Sequence, residues 1–353
     1  MMSNATTSQP VVPAFALDDV LSNLSPSSNW KWKDGLLANA KPRDFYWGEI
    51  PQPEMQRVVE VAEQKGWRHA VNDLVATKHP DLLDMILAED RVEWLHLLPH
   101  RPRTILDVGS GWGQTSHLMA ADSNNTVVAV EPIKERAQFQ AIRKQQDNVS
   151  NWHVINSDFE EVEFAEGIFD LVSFTGVLEW VGVGHAPKNP RDVQLDALRR
   201  AHRSLADDGL VSIGIENRIG FNNILGAVDH SGLRFTSLMP RGVADMYVKL
   251  RKKSYREERV SASYRTYTYT GRGYEKLLKD AGFRNVQIFI AHPHYAHPQC
   301  LLYVKSKEVG NFFSNVYRPT SKKDAIFSLI FRNLSRLRAA GMFAPHFIVW
   351  GHK

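Results

Sequence analysis

The sequence predicts an α/β fold built on a doubly wound, mostly parallel sheet. Three observations carry that expectation. An apolar run, Thr104-Ile-Leu-Asp-Val108, ends in a turn with glycines at 109, 111 and 113 and opens straight into a helix-like stretch. Further short apolar runs at 126–130, 152–156, 169–174 and 210–215 alternate with stretches of helical period such as 194–205, the pattern of repeated strand-helix-strand units. The first of these further runs stops at Glu131, about twenty residues past the glycines, where doubly wound sheets hold the ribose of a bound nucleotide.

The elements follow in order. Gly109, Gly111 and Gly113 lack a Cβ and take positive φ at little cost, so the backbone can turn sharply and bring a ligand to the mouth of the next helix, with Ser110 inside the turn. A dinucleotide fingerprint would need glycine at 114, and Gln114 stands there. An ionised Glu131, followed by Pro132, can accept hydrogen bonds from both ribose hydroxyls. The third run leads into Ser157-Asp158-Phe159, where Asp158 is either a ligand contact or a helix N-cap. The fourth ends at Thr175 and Gly176, on the side of the sheet where ligands bind. A turn at Asp207-Asp208-Gly209 precedes the fifth.

The flanks are expected to be additions to that core. Residues 1–29, rich in Ser, Asn, Thr and Pro, read as disordered, and residues 30–100 as a helical cap or lid with helices at 53–65, 67–76 and 80–98. Tyr46 and Trp47 are expected to pack the cap onto the core. The core spans 101–305 with a substrate insertion at about 217–269, and 306–353 holds a helix at 323–339 and a possible last strand. A sixth strand is expected at 286–290, and a seventh at either 300–304 or 347–350. Within the insertion the alternation Tyr264-Arg-Thr-Tyr267-Thr-Tyr269 reads as an exposed strand, and His292, His294 and His297 as a rigid loop walling the substrate pocket.

Composition limits the function classes. The chain has 353 residues, 43% of them hydrophobic, enough for one full α/β domain plus additions. No apolar run approaches a membrane span and no leader pattern opens the chain, so a cytoplasmic protein is expected. The lone Cys300 excludes an internal disulfide and a cysteine-built zinc site. A net charge of +4 from 43 basic and 39 acidic residues gives no strong nucleic-acid signal. The densest basic patch, Lys249–Arg256, reads as a solvated helix face.

The turn Asp107-Val-Gly-Ser-Gly-Trp-Gly113 resembles motif I of class I S-adenosylmethionine-dependent methyltransferases. The run Glu216-Asn-Arg-Ile-Gly220, then Gly226-Ala-Val-Asp-His-Ser-Gly232, together with Tyr46–Glu49 and Gly176–Gly182, is similar to bacterial methyltransferases associated with cell-surface glycan and lipopolysaccharide assembly, over roughly residues 45–300. Val228 stands where those proteins often carry an acid. The resemblance implies a Rossmann-like sheet of seven strands with an N-terminal helical cap and an insertion after strand five. It also implies S-adenosylmethionine as cofactor, held by Asp107, Gly109, Ser110, Gly111, Gly113, Glu131 and Pro132, with Asp158 and Phe159 at the adenine and Thr175 and Gly176 at the methionine part.

The implied reaction is transfer of a methyl group to a hydroxyl of a sugar or glycan intermediate. Alternatives are a small-molecule amine or carboxylate, RNA, or a scaffold that binds the cofactor without turnover. In-line displacement needs acceptor, methyl and sulfur held nearly collinear, and a hydroxyl acceptor calls for a base. His230, oriented by Asp229 or another carboxylate, is the first candidate and His185 the second. Glu216, Asn217, Arg218 and Tyr267 are expected to contact the acceptor. Asp229, His230 and Glu216 could ligate a metal, but their spacing matches no dedicated site and none is expected.

Overall fold

The apolar run before the glycines lies at the centre of a ten-stranded sheet. The computed structural model describes residues 17–21, 29–33, 35–39, 48–185, 187–251, 263–319, 322–337 and 339–353. Its strands are β1 (Trp30–Lys33), β2 (Leu36–Asn39), β3 (Thr104–Val108), β4 (Thr126–Glu131), β5 (Trp152–Asn156), β6 (Phe169–Thr175), β7 (Leu205–Glu216), β8 (Arg284–His294), β9 (His297–Tyr303) and β10 (His346–His352). They lie in the order β1-β2-β5-β4-β3-β6-β7-β10-β8-β9. The run from β2 to β7 is parallel, whereas β10 is antiparallel to both β7 and β8.

β3 to β6 are apolar on both faces because helices cover both. Leu106, Val108, Val128 and Val130 enter one core, and Ile105, Val127 and Ala129 the other. Chain order reverses beside β3, with β4 on one side and β6 on the other, which opens a crevice at the carboxyl ends of these strands.

Ten strands replace the seven expected. Trp30–Asn39 is not part of a helical cap: its two short apolar segments fold around Gly35 into a hairpin that extends the sheet beyond β5 and buries Trp30 and Leu37. Both candidate seventh strands exist. β10 inserts between β7 and β8, and β9 pairs onto the far edge. His292, His294 and His297 therefore belong to the β8–β9 hairpin rather than to a loop, because these strands run on to within three residues of each other. In the segment expected to be disordered, Leu17–Leu21 form a short helix with Val20 only 1% exposed.

The cap begins after Glu49. A helix at Gln52–Lys65 leads to Trp67–Ala70, which continues as a π turn at Val71–Val75, and Pro80–Leu87 follows. The single helix expected over 80–98 is broken at Ala88, which takes extended dihedrals, and resumes as a 3₁₀ turn at Glu93–Leu97. Met55, Val58, Ala62 and Trp67 pack with Trp112 of the glycine turn and Phe139, so the cap and the turn share one core. Tyr46 and Trp47 lie outside the described residues.

In the insertion, Tyr264–Tyr269 is not the exposed strand expected. Tyr264, Arg265, Thr266 and Thr268 are buried, and the segment's one bridge joins Tyr269 to Asn217. Arg265 explains the burial: its guanidinium donates to the carbonyls of Gly182 (2.8 Å) and Lys188 (2.6 Å), tying the segment to the loop after β6. Of the basic patch, residues 252–256 lie outside the described residues, and Lys249 pairs with Asp245 at 2.6 Å. No described helix is long and apolar enough to cross a membrane.

Candidate active site

The crevice holds a cavity of about 350 Å³. Gly109, Gly111, Glu131, Pro132, Asp158, Phe159, Thr175 and Gly176 line it, as do His185 and His230. Asp107, Ser110 and Gly113, expected to touch the cofactor, sit behind the lining instead. The Asp107 carboxylate is buried under the turn, accepts from Ser116 Oγ at 2.6 Å, and is pushed up to about 6 by burial. Ser110 Oγ faces Gln140. Gly113, at φ 74°, is held against Trp152, whose ring would be 2.5 Å from an added Cβ. Packing, more than ligand approach, demands glycine there.

Glu131 closes β4 and is nearly inaccessible. Its Oε2 accepts from the backbone N–H of Gly111 at 2.7 Å and its Oε1 from that of Ile133 at 3.0 Å, with the Arg136 guanidinium 3.9 Å away. The glycine turn thus fixes the carboxylate's orientation, and each oxygen keeps a lone pair for a ligand hydroxyl. Burial raises its pKa to about 7 against the pull of Arg136 and the two N–H groups. Arg136 also pairs with Glu49, which accepts from Trp112 Nε1 at 3.1 Å, so the segment leading into the cap braces the same corner.

Two groups escaped sequence reasoning. Arg91, delivered by the break in the cap helix, lines the cavity while only 3% exposed, and its Nε and Nη1 have no hydrogen-bond partner among the described residues. A buried guanidinium with free N–H groups is a seat for a carboxylate. Glu179, in the loop after β6, is wholly buried. Neither has a sequence neighbour that reveals its surroundings.

At the far end of the cavity, His230 Nε2 lies 3.2 Å from Glu216 Oε2 and 3.8 Å from Glu179 Oε1, with its ring edge on Trp180. Tyr295 donates its hydroxyl to Glu216 Oε1 at 3.1 Å. Burial would lower the His230 pKa, but the carboxylate of Glu216, then those of Glu179 and Asp229, lift it to about 9. Burial and Glu216 together raise Glu179 to about 8. Both carboxylates favour the imidazolium form of His230, which opposes the general-base role expected of it.

Asp229 does not orient His230. It accepts from Ser231 N (2.9 Å) and Oγ (2.6 Å), Thr236 Oγ1 (2.6 Å), and Ser237 N (2.6 Å) and Oγ (2.5 Å), which pins the 229–237 loop. Two of the expected acceptor contacts also serve the fold. Asn217 is buried and donates to the carbonyls of Met342 and Ala344, and Arg218 to those of Ser237 and Met239. Tyr267 stacks on Tyr264 under the Arg241 guanidinium and lines neither cavity. Glu216 and His230 instead line a second cavity of about 650 Å³, so His230 is shared by the two.

The residues present suit S-adenosylmethionine: lone pairs on a fixed Glu131, a buried guanidinium at Arg91 whose Nε and Nη1 have no hydrogen-bond partner among the described residues, and a glycine, Gly111, where an added Cβ would meet nothing nearer than 3.7 Å. Residues 106–213 match the model of a family described as a methyltransferase domain. The tRNA U34 carboxymethyltransferase of Actinobacillus succinogenes is 34% identical over 134 residues, 36% of this chain and 40% of that protein. That of Mannheimia succiniciproducens is 30% identical over 178 residues, 48% of this chain and 52% of its own length. The chain thus spans about half or less of these curated relatives. Among solved structures, a possible histamine N-methyltransferase from Thermotoga maritima aligns with 81% of this chain and 99% of its own at 14% identity and a TM-score of 0.41. Haemonchus contortus phosphoethanolamine N-methyltransferase 2 in complex with S-adenosyl-L-methionine aligns with 87% and 60% at 14% identity and a TM-score of 0.44.

The expected glycan association has no counterpart among these names. The curated relatives' tRNA also departs from the absence of a strong nucleic-acid signal in the composition. Over residues 106–213 the chain thus matches a methyltransferase domain, and S-adenosylmethionine is the cofactor its crevice suits.

Proposed function

We propose that the chain methylates a hydroxyl of a polyhydroxylated acceptor, a sugar or glycan intermediate. The observation that carries this reading is the meeting of two unlike cavities at His230. One fits a nucleoside donor. The other presents Asn222, Asn223, Ser231, Ser237 and Glu216, with no lysine or arginine among its lining residues. Amides, hydroxyls and a carboxylate suit a sugar's hydroxyl groups, whereas a phosphate-rich acceptor would call for cations.

In this reading Glu131 accepts from the ribose hydroxyls, Asp158 and Phe159 border the adenine, Thr175 and Gly176 the methionine part, and Arg91 the carboxylate. Bound S-adenosylmethionine supplies an electrophilic methyl group on a sulfonium. The protein's contribution is positioning, which can supply several kcal/mol of the barrier. Glu216, held low at about 2 chiefly by His230 against the opposing effect of burial, stays ionised and accepts the acceptor's hydroxyl hydrogen bond; as the O–CH3 bond forms and the S–CH3 bond breaks, releasing S-adenosylhomocysteine, the hydroxyl proton passes through Glu216 to solvent. The His230 imidazolium in turn holds Glu216. His185 borders the same cavity from the loop after β6.

Incubation with methyl-labelled S-adenosylmethionine and a panel of sugars, nucleotide sugars and glycans tests the reading, which expects a labelled methyl ether. A second reading, transfer to RNA, is favoured by the names of the curated relatives, so tRNA belongs in the same panel. Label in tRNA and in no hydroxylated small acceptor would overturn the first reading.

A further inference from the structure

We propose that Glu179, Glu216 and His230 form a binding site for a divalent cation of the Mn²⁺ or Zn²⁺ type where the two cavities meet. Their candidate ligand atoms all lie within 4.8 Å of one another, and His230 Nε2 is 3.2 Å from Glu216 Oε2 and 3.8 Å from Glu179 Oε1. Ligands about 2.1 Å from a common ion stand roughly 3.0–3.5 Å apart, so small side-chain adjustments close the set. One imidazole and two carboxylates suit borderline divalent ions better than thiolate-seeking ones.

An independent observation points the same way. Glu179 is 0% exposed, and apart from weak contacts with its own backbone N–H and the Trp180 side chain its carboxylate oxygens have no hydrogen-bond partner among the described residues; Glu216 Oε2 has only its ion-pair contact with His230. A buried carboxylate with so few donors is costly and calls for a compensating group. One imidazole faces two acids and can compensate only one of them as a carboxylate. A doubly charged ion at the same point would take the place of the Glu179 and His230 protons and be ligated by both carboxylates and a neutral imidazole. The neighbouring set Glu216, His294 and His346 is the weaker host, because His294 Nδ1 accepts from Ala296 N–H at 2.9 Å, which leaves the proton on its other nitrogen.

The placement gives the ion work in the reaction proposed above, and in that respect the inference deepens that reading. An acceptor hydroxyl reaching His230 from the second cavity would meet the ion and lose its proton to solvent more easily as the methyl arrives.

The experiment uses the full chain after treatment with chelator. Isothermal titration with MnCl₂ and, separately, ZnCl₂ is expected to show one saturable site for at least one of them. Glu179→Gln, close in shape, is expected to weaken that site at least tenfold while S-adenosylhomocysteine affinity, which reports an intact donor cavity, stays within about twofold. Glu216→Gln serves as a second variant with the same expectation. No saturable binding of either ion, or equal binding by a folded Glu179→Gln, overturns the site. Saturable binding without methylation of any hydroxylated acceptor leaves the site standing and removes the acceptor reading. Full methylation in chelator, with no ion bound, does the reverse.

Discussion

Alanine at Gly111 and at Gly113 separates ligand approach from packing within one turn. Both glycines take positive φ, 59° and 74°, which costs an L-residue about 1–2 kcal/mol. At Gly111 the added methyl would meet only the Gln114 amide at 3.7 and 3.8 Å, ordinary contact distances. The fold is therefore expected to lose little beyond the dihedral cost, a shift of about 1–3 °C in Tm for a chain of this length. Gly111 lines the cavity and its backbone N–H fixes the Glu131 carboxylate, so a methyl that intrudes on the cavity there is expected to lower affinity for S-adenosylhomocysteine at least tenfold, about 1.4 kcal/mol. At Gly113 the methyl would lie 2.5 and 2.6 Å from the Trp152 ring and 2.8 Å from Gln140 Cγ. Overpacking there adds about 1–3 kcal/mol to the dihedral cost, so Gly113→Ala is the less stable variant, while its folded fraction binds normally. Thermal unfolding and isothermal titration on both variants decide. Native affinity in Gly111→Ala, or lost affinity with native Tm in Gly113→Ala, would refute the division of roles.

Other outcomes are as definite. Because burial holds Glu131 at about 7, S-adenosylhomocysteine affinity is expected to rise roughly tenfold between pH 6 and 8 as the carboxylate ionises, and Glu131→Gln to bind more weakly and without that slope; a flat native profile would sink the ribose assignment. The same raised pKa means the folded state holds the proton more tightly, so Glu131 subtracts stability as pH climbs from about 4.5 through about 7, and Glu131→Gln removes that decline in urea titrations. Arg91→Met is expected to cost about 2 kcal/mol of S-adenosylhomocysteine binding but nothing with methylthioadenosine, which lacks the carboxylate; equal losses would assign Arg91 to the fold. Asp229→Ala, which strips acceptors from five hydrogen-bonding groups of its loop, should lower stability by about 2–4 kcal/mol, and unchanged unfolding would contradict its structural role.

The sequence disclosed the parallel strands best because burial on both faces leaves unbroken apolar runs between turn residues. β3, β4, β5 and β6 fall within a residue of the runs that suggested them. β7 begins earlier than expected: Asp207-Asp208-Gly209 is absorbed as an irregularity where the pairing jumps from Leu205 opposite Phe169 to Leu210 opposite Leu171. The hairpin of β1 and β2 escaped because four-residue strands carry too little periodicity to separate from a loop. At the site, Glu131 was legible from its distance to the glycines, whereas Glu179 and Arg91 gain meaning from partners remote in sequence. Adjacency misled at Asp229, whose carboxylate turns to the hydroxyls of its own loop while His230 points to Glu216 and Glu179.

Diffraction from crystals of the full chain grown with S-adenosylhomocysteine tests the central claim most directly. The expected result is the nucleoside in the crevice above β3, both ribose hydroxyls within hydrogen-bond reach of Glu131 and the amino-acid carboxylate on Arg91. A nucleoside bound elsewhere, or in the crevice with Glu131 turned from its ribose, would contradict it.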